Sequence, residues 1–457
     1  MISPEPNPRV EPTDPAPQPL ALVEPASPAA PEAQPQAPPR WSLAKRLLFR
    51  FAFAYLVLYN LPFPLDYIPY ADQLAQAYSK MWSFIVPQVG QDVFGVDITV
   101  EPNGSGDTTF NYVQVFCYLV LALAATAIWT FLDRRRSNYA RLHQWLQTYV
   151  RYALCLTMLG YGVAKAIPNQ FPSPSLDRLL QPFGDASPMG LLWTFMGASA
   201  AYTIFAGLSE MLGGLLLLTR RTQLLGALVS MGVMTNVVLL NFCYDVPVKL
   251  FSSHLLLMSI FLILPDAKRL LNLLVFNRRV EPAPLQPLFR RKWLHWSALV
   301  LRTVFVLGWT GFFLYQGWQQ AHEYGNLAPK PPLYGAWNVE ELAVDGVARP
   351  PLTTDATRWR RVVFGYPGFM AIQLMDDSRT GYRVKVDEKQ KTLTLRKRTD
   401  PQWQTRLAYR EVEPGVLALE GTMDGQKFQA RVRRVDESKF QLTSRGFHWI
   451  NEYPYNR

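Results

Sequence analysis

The sequence predicts an α-helical polytopic membrane protein with about seven transmembrane helices, N-terminus inside and C-terminus outside. An extramembrane antiparallel β-barrel or sandwich is expected to follow them. Three observations lead there. Charge is nearly absent from seven runs of about 17–22 residues, close to the roughly 20 that a helix needs to cross a bilayer core of about 30 Å. Lys and Arg crowd alternate connections between these runs. From about residue 333 the apolar positions recur at a period of two.

The composition agrees once its segregation is seen. Hydrophobic residues make up 49% of the 457, and aromatics 13%. Mean hydropathy is near zero only because apolar runs and charged connections cancel. The formal charge of +11 partly reflects the connections, and there is no nucleic-acid motif, so a nucleic-acid partner is not expected.

Residues 1–40 hold thirteen of the 37 prolines, mixed with Ala, Glu and Gln. Such a segment cannot bury enough apolar surface to offset its ordering entropy, so a disordered cytoplasmic tail is expected. It lacks the basic and apolar regions of a cleaved leader, and the first span is expected to serve as the insertion signal.

The transmembrane domain is placed at 41–320. Its runs are 47–63, 112–132, 152–168, 199–218, 223–242, 250–265 and 296–318. Arg50 lies near the end of the first, close enough to snorkel. One set of connections carries eighteen Lys and Arg and the alternate set four, namely Lys80, Lys165, Arg178 and Lys249. The richer set belongs inside. In the outer connection 64–111, Leu74, Tyr78, Trp82 and Ile85 recur at helical spacing. They suggest an amphipathic helix in the interface with its aromatics at headgroup depth. Ser187 followed by Pro188 is an N-cap and first-turn pair, so a short helix is expected there. On the inner side Tyr139, Leu142, Leu146 and Tyr149 suggest a second interfacial helix.

Residues 333–457 form the outer β-domain. Its strands are read in "MAIQLM", "GYRVKVD", "KTLTLRKR", "TRLAYREV", "VLALEGTM", "KFQARVRRVD" and "KFQLTSRGF", with Asp-Gly turns at 345–346 and 424–425. They are too short and too charged for a membrane barrel. The Gly335-x-Trp337 arrangement in "LYGAWNVEEL" resembles the first strand of lipocalin-like barrels. A lipid or protein outside the membrane is the partner expected for such a domain, alongside the membrane lipids themselves.

An ionisable group at membrane depth costs several kcal/mol unless paired or hydrated, and so marks a candidate site. Glu210 lies mid-span in "FAGLSEMLGGLLLL", flanked by Gly207, Gly213 and Gly214, which admit a close neighbouring helix. A protonated packing carboxyl and a functional one both fit this setting. Asp245 and Lys249 straddle Pro247 at the outer junction of spans five and six, placed to pair around a break. His254 lies one turn further on, as a satisfied structural histidine or as a site residue. Lys165, three residues before Pro168, either snorkels or acts as a desolvated base. Asp107 reaches the same depth, and the acidic and basic side chains of spans three to six are expected to meet in one pocket opening to the outside. The histidines lack metal-ligand spacing, so no metal is expected. Cys117 and Cys243 fall near outer membrane ends, where a bridge or two free thiols both fit, and Cys155 reads as packing.

"GSGDTTFNYVQ", "YGVAKAIPNQF", "LSEMLGGLLLLTRRTQLLGALVSMGVMTNVV" and "YDVPVKLFSSHLLLMSIFLILPD" resemble the DoxX-like membrane proteins of bacteria, over about residues 100–270. The ending "RGFHWINEYPYNR" looks like the tail of long members with an outer β-domain. The resemblance implies the bacterial inner membrane, with a periplasmic β-domain. One founding type is a subunit of a thiosulfate:quinone oxidoreductase, and the wider superfamily is thought to include the vitamin K-dependent gamma-carboxylase, where a membrane-edge lysine is the base toward a hydroquinone. It therefore implies a quinone-linked oxidoreductase or carboxylase-like enzyme. Lys165, Glu210, Asp245 and His254 would be catalytic, and Asp107, Tyr161 and Lys249 would contact the quinone. The alternative is a non-enzymatic transporter or an envelope scaffold.

Overall fold

A computed structural model describes residues 40–68, 70–100, 103–282, 291–400 and 402–456. The expected tail over 1–40 lies almost wholly outside the described residues. Twelve α-helices precede or follow the strands within them: α1 Leu43–Asn60, α2 Asp72–Val89, α3 Thr109–Leu132, α4 Ala140–Ala166, α5 Leu176–Leu179, α6 Pro188–Ala198, α7 Ala200–Leu217, α8 Gln223–Cys243, α9 Lys249–Ile263, α10 Ala267–Leu274, α11 Lys292–Glu323 and the terminal α12 Gln441–Ser444. Five helical stretches among the described residues are long and apolar enough to cross a membrane: α3, α7, α8, α9 continued through α10, and α11. The expected spans at 47–63 and 152–168 are also helical, as α1 and the second half of α4, but both helices carry buried cations.

Local chemistry sets the helix starts. Ser42, Thr108, Ser175, Ser187 and Ser199 each accept a backbone N–H of the first turn, and Thr108 with Asn111 completes a capping box. The predicted Ser187–Pro188 start of α6 is among them. Helix α9 is capped from a distance. Pro247 breaks the chain, and Asp107 accepts from the N–H groups of Lys249 at 2.7 Å and Leu250 at 2.9 Å. A carboxylate at a helix N-terminus also complements the dipole.

Helix α4 is the centre of the bundle, packed most extensively on α7 and also against α1, α9 and α11. Three expectations meet the structure here. The stretch 139–149 is not a separate interfacial helix: it runs unbroken into the 152–166 segment as the single helix α4, with Leu146 buried. Tyr78 and Trp82, expected at headgroup depth, pack on neighbouring helices. The Tyr78 hydroxyl donates to Leu58 O at 3.3 Å, and Trp82 packs edge-on against Tyr118 at 4.9 Å. A neighbouring helix offers these rings the same apolar contact that lipid would. Arg50 does not snorkel either. It is 1% exposed and donates to Thr130 Oγ1 at 2.7 Å, to Asp133 O at 2.9 Å and to the Tyr139 hydroxyl at 2.6 Å, which in turn donates to Asp133. A guanidinium satisfied inside has no need to reach outward.

The C-terminal strands are β1 Gly335–Val344, β2 Val347–Ala348, β3 Trp359–Tyr366, β4 Phe369–Leu374, β5 Arg379–Asp387, β6 Thr392–Lys397, β7 Gln404–Glu413, β8 Val416–Met423 and β9 Gln426–Arg434. Each pairs antiparallel with its neighbour, β1 bridging to β3, and β9 returns to pair with β1 from Trp337↔Arg434 to Val344↔Phe428. The result is a closed eight-stranded barrel, with β2 an extra strand on β1. The predicted Asp-Gly turns are present: Asp345, Gly346, Asp424 and Gly425 all have positive φ, the backbone that a tight hairpin requires. Alternate residues such as Leu393, Leu395, Leu407, Leu417 and Val432 fill the interior. The "KFQLTSRGF" segment is not a strand but turns into α12. With β9 already paired to β1, the barrel has no edge left for it.

The segment between α4 and α6 ties the bundle to the barrel. Asn169 donates to Gly317 O of α11 at 2.8 Å, and Ser173 N donates to Asn326 at 3.0 Å. Leu176 packs against Ala336, Val363 and Ala371 on the barrel's outer wall. Arg379 of β5 donates to Asp177 O at 2.8 Å and pairs with its carboxylate at 3.0 Å.

Candidate functional site

Lys165 stands on the last turn of α4 and Glu210 in the middle of α7. Their helices approach closely because glycines face each other. A β-carbon on Gly207 would lie 2.5 Å from Ala166 N and 2.6 Å from Gly162 O, and one on Gly162 would lie 2.8 Å from Gly207 O. At that separation Lys165 Nζ donates to Glu210 Oε2 at 2.8 Å, with the side chains only 9% and 4% exposed. Desolvating either side chain alone costs several kcal/mol, so the hydrogen bond between them offsets the burial of both.

The pair lines a cavity of about 340 Å³ enclosed by α4, α6, α7, α8 and α9. Its walls are aromatic and aliphatic, with Tyr161, Phe171, Trp193, Phe205, Val237 and Phe251 among them. Phe205 is 65% exposed on the outside of α7, where acyl chains would lie. The polar lining is sparse. Besides the ion pair it includes Gln170, whose Oε1 is buried and has no hydrogen-bond donor among the described residues. The Tyr161 ring lies under the charge, with Lys165 Nζ 5.4 Å from its centre. An apolar chamber with a few convergent polar groups is the usual form of a small-molecule site.

The other candidate residues lie elsewhere. The sequence reading expects one pocket for all of them, but Asp107, Asp245, Lys249 and His254 do not line this cavity. Lys249 pairs with Asp245 at 2.9 Å around the Pro247 break and lies 3.9 Å from Asp107, making a three-charge clasp at the start of α9. Asp245 is 83% exposed there. His254 forms a third group with α1. Its Nδ1 lies 2.7 Å from Leu250 O, an acceptor only, so Nδ1 carries the proton and Nε2 accepts from the Tyr55 hydroxyl at 2.6 Å. Tyr59 stacks on the imidazole at 3.8 Å. All of the His254 hydrogen-bonding capacity is used, which suits a structural role.

Gln170, Trp193, Tyr55 and Tyr59 were not singled out from sequence. Gln170 carries no charge and sits in a turn, so a search for ionisable groups passes over it. The tyrosines sit in an apolar run where their hydroxyls give no periodic signal. The three thiols are free, Cys117 and Cys155 buried and Cys243 exposed, and Cys155 Sγ donates to Gly214 O at 3.2 Å.

Five helical stretches among the described residues long and apolar enough to cross a membrane, with a closed barrel attached, define a multi-pass membrane protein with a C-terminal β-barrel domain. The chain belongs to the family of the uncharacterized protein YwoB of Bacillus subtilis (strain 168). It is 31% identical to that protein over 143 residues, which are 31% of this chain and 87% of the relative. No family model matches the chain, and no solved structure matches it.

Proposed function

We propose that the protein is a seven-span, DoxX-like protein of the bacterial inner membrane that binds a quinone or quinol in the Lys165–Glu210 cavity and exchanges protons with its oxygens. In this reading α1 and α4 are the two additional spans, their cations neutralised or hydrogen-bonded inside the bundle, and the barrel is periplasmic. The carrying observation is the ion pair buried at 2.8 Å in the wall of an otherwise apolar chamber.

The residues present fit such a ligand. A volume of about 340 Å³ is at the lower end for small-molecule sites, enough for one ring and the start of a tail. The unpaired Gln170 carbonyl accepts a hydroxyl, and Lys165 donates to a carbonyl oxygen. A bound quinone supplies reversible two-electron, two-proton chemistry. The protein's part is to hold and move the proton: Glu210 Oε2 is engaged by Lys165, and Oε1 is left to accept from a ligand hydroxyl. Exposed Phe205 on the lipid side suits lateral entry from the bilayer.

The test is to purify the full chain in detergent, extract it with organic solvent and identify what copurifies by mass spectrometry. Stoichiometric quinone is expected, falling in Lys165→Ala and Glu210→Gln. Unchanged quinol turnover in Lys165→Ala membranes would remove Lys165 from the mechanism. A transporter is the second reading, favoured by one feature: the two charges cancel within the membrane, as in a coupling site. Solute uptake into quinone-free liposomes would select it.

A further inference from the structure

Behind the wall formed by Tyr161 and Phe251 lies a second, larger cavity of about 710 Å³. Thr157, Tyr161, Val248 and Phe251 line both chambers. The second lies between the end of α1, the middle of α2 and α4, and the starts of α3 and α9, and it is more polar than the first. Its lining is rich in uncharged hydroxyls and amides, including Tyr59, Ser79, Asn111, Gln114 and Tyr118. Asp66 is its one charged residue among the described residues.

Two further details point to an occupant. Trp82 lines this cavity and is 3% exposed, yet its indole N–H has no acceptor among the described residues. Buried donors are nearly always satisfied, and an unmade bond costs about 1–3 kcal/mol. Trp82 also brings a large ring whose apolar face can pack against a ligand. The Gln114 amide, half-buried, shares a face of α3 with Asn111 and Tyr118 and lines the same cavity.

From this we infer that the second cavity is a binding site for a neutral, polyhydroxylated group such as a glycosyl unit. A charged ligand would be desolvated there without a cluster of counter-charges, at a cost of several kcal/mol. A purely apolar one would strand the hydroxyls and amides. Sugar hydroxyls donate and accept, as the lining does, and can supply the oxygen that the Trp82 N–H requires. The group arrives either as the headgroup of an outer-leaflet glycolipid or as a free sugar. The inference does not rest on the quinone reading, because it concerns a different chamber and a ligand of different chemistry.

The test uses the full chain in a detergent without a sugar headgroup, with native mass spectrometry and thermal unfolding as readouts. Three probes are compared: diglucosyl diacylglycerol, maltose and cardiolipin. A neutral sugar probe is expected to be retained and to raise the unfolding midpoint, with no comparable effect from cardiolipin. Retention of the glycolipid alone identifies a lipid headgroup, and retention of maltose identifies a free sugar. Trp82→Phe keeps the ring and removes the N–H, and Gln114→Leu removes the amide. Each is expected to weaken binding about tenfold, the loss of one good hydrogen bond. If Trp82→Phe fails to fold, Gln114→Leu decides. Binding no stronger than that of cardiolipin, or unchanged in the folded variants, overturns the assignment. Copurified quinone is measured separately, so the two readings fail independently.

Discussion

Gly162 of α4 and Gly207 of α7 meet backbone to backbone, with no room for a β-carbon on either. The contact places Lys165 within reach of Glu210, so it is testable by size. Gly207→Val should force the helices apart and cost about 1–3 kcal/mol through overpacking. A lower thermal midpoint in detergent is the expected outcome. Gly308→Ala on α11 is the control, since a β-carbon there meets nothing within 4 Å.

Removing one member of the buried pair strands the other. Lys165→Met and Glu210→Leu should each cost about 3–5 kcal/mol. The double variant should recover most of the loss, because two apolar side chains satisfy each other in an apolar wall. A double-mutant cycle by chemical denaturation measures this coupling. Additive losses would show that the two side chains do not depend on each other.

The barrel seam should weaken in acid. Glu340 sits where β1 and β9 shift register, between Val339 and Glu341. It accepts from Arg433 and lies 3.6 Å from Arg431, both on β9. The hydrogen bond from Arg433, reinforced by both guanidinium charges, holds its carboxyl below the usual glutamate range. A depressed folded pKa gives stability that is present above the unfolded pKa of about 4.3 and is lost as the pH falls through the folded value. Amide exchange along β1 and β9 should therefore accelerate as the pH drops below about 4. Glu340→Gln should flatten that part of the dependence.

Thiol chemistry tests the orientation. Cys243 is exposed at the end of α8, while Cys117 and Cys155 are buried. A membrane-impermeant maleimide applied to intact spheroplasts should label Cys243 and little else, and Cys243→Ser should abolish the signal. Labelling only after lysis would place the end of α8 inside and reverse the proposed topology.

The parts legible in the sequence are those with a local period. The alternation in "GYRVKVD", "KTLTLRKR" and "VLALEGTM" marks β5, β6 and β8, and the Asp-Gly pairs mark two hairpins. Run length alone finds α3, α7 and α8. What could not be read is which polar groups meet. Lys165 and Glu210 are 45 residues apart, and Tyr55 and His254 are 199 apart. Each was visible as a candidate or as part of a run, but no spacing rule joins residues on separate helices. That is also why one shared pocket was expected where three groups exist. The packing of α2 went unread for a related reason: an amphipathic pattern says that a face is covered, and Tyr118 and Leu58 cover part of this one.

The connection from α4 to the barrel gives the molecule a mechanical property. Lys165 ends a helix whose continuation is pinned to α11 through Asn169 and to the barrel wall through Asp177 and Arg379. One short segment of chain therefore carries the ion-paired lysine at one end and the barrel anchor at the other, so the spacing between chamber and barrel is set by covalent connection and not by surface contact alone.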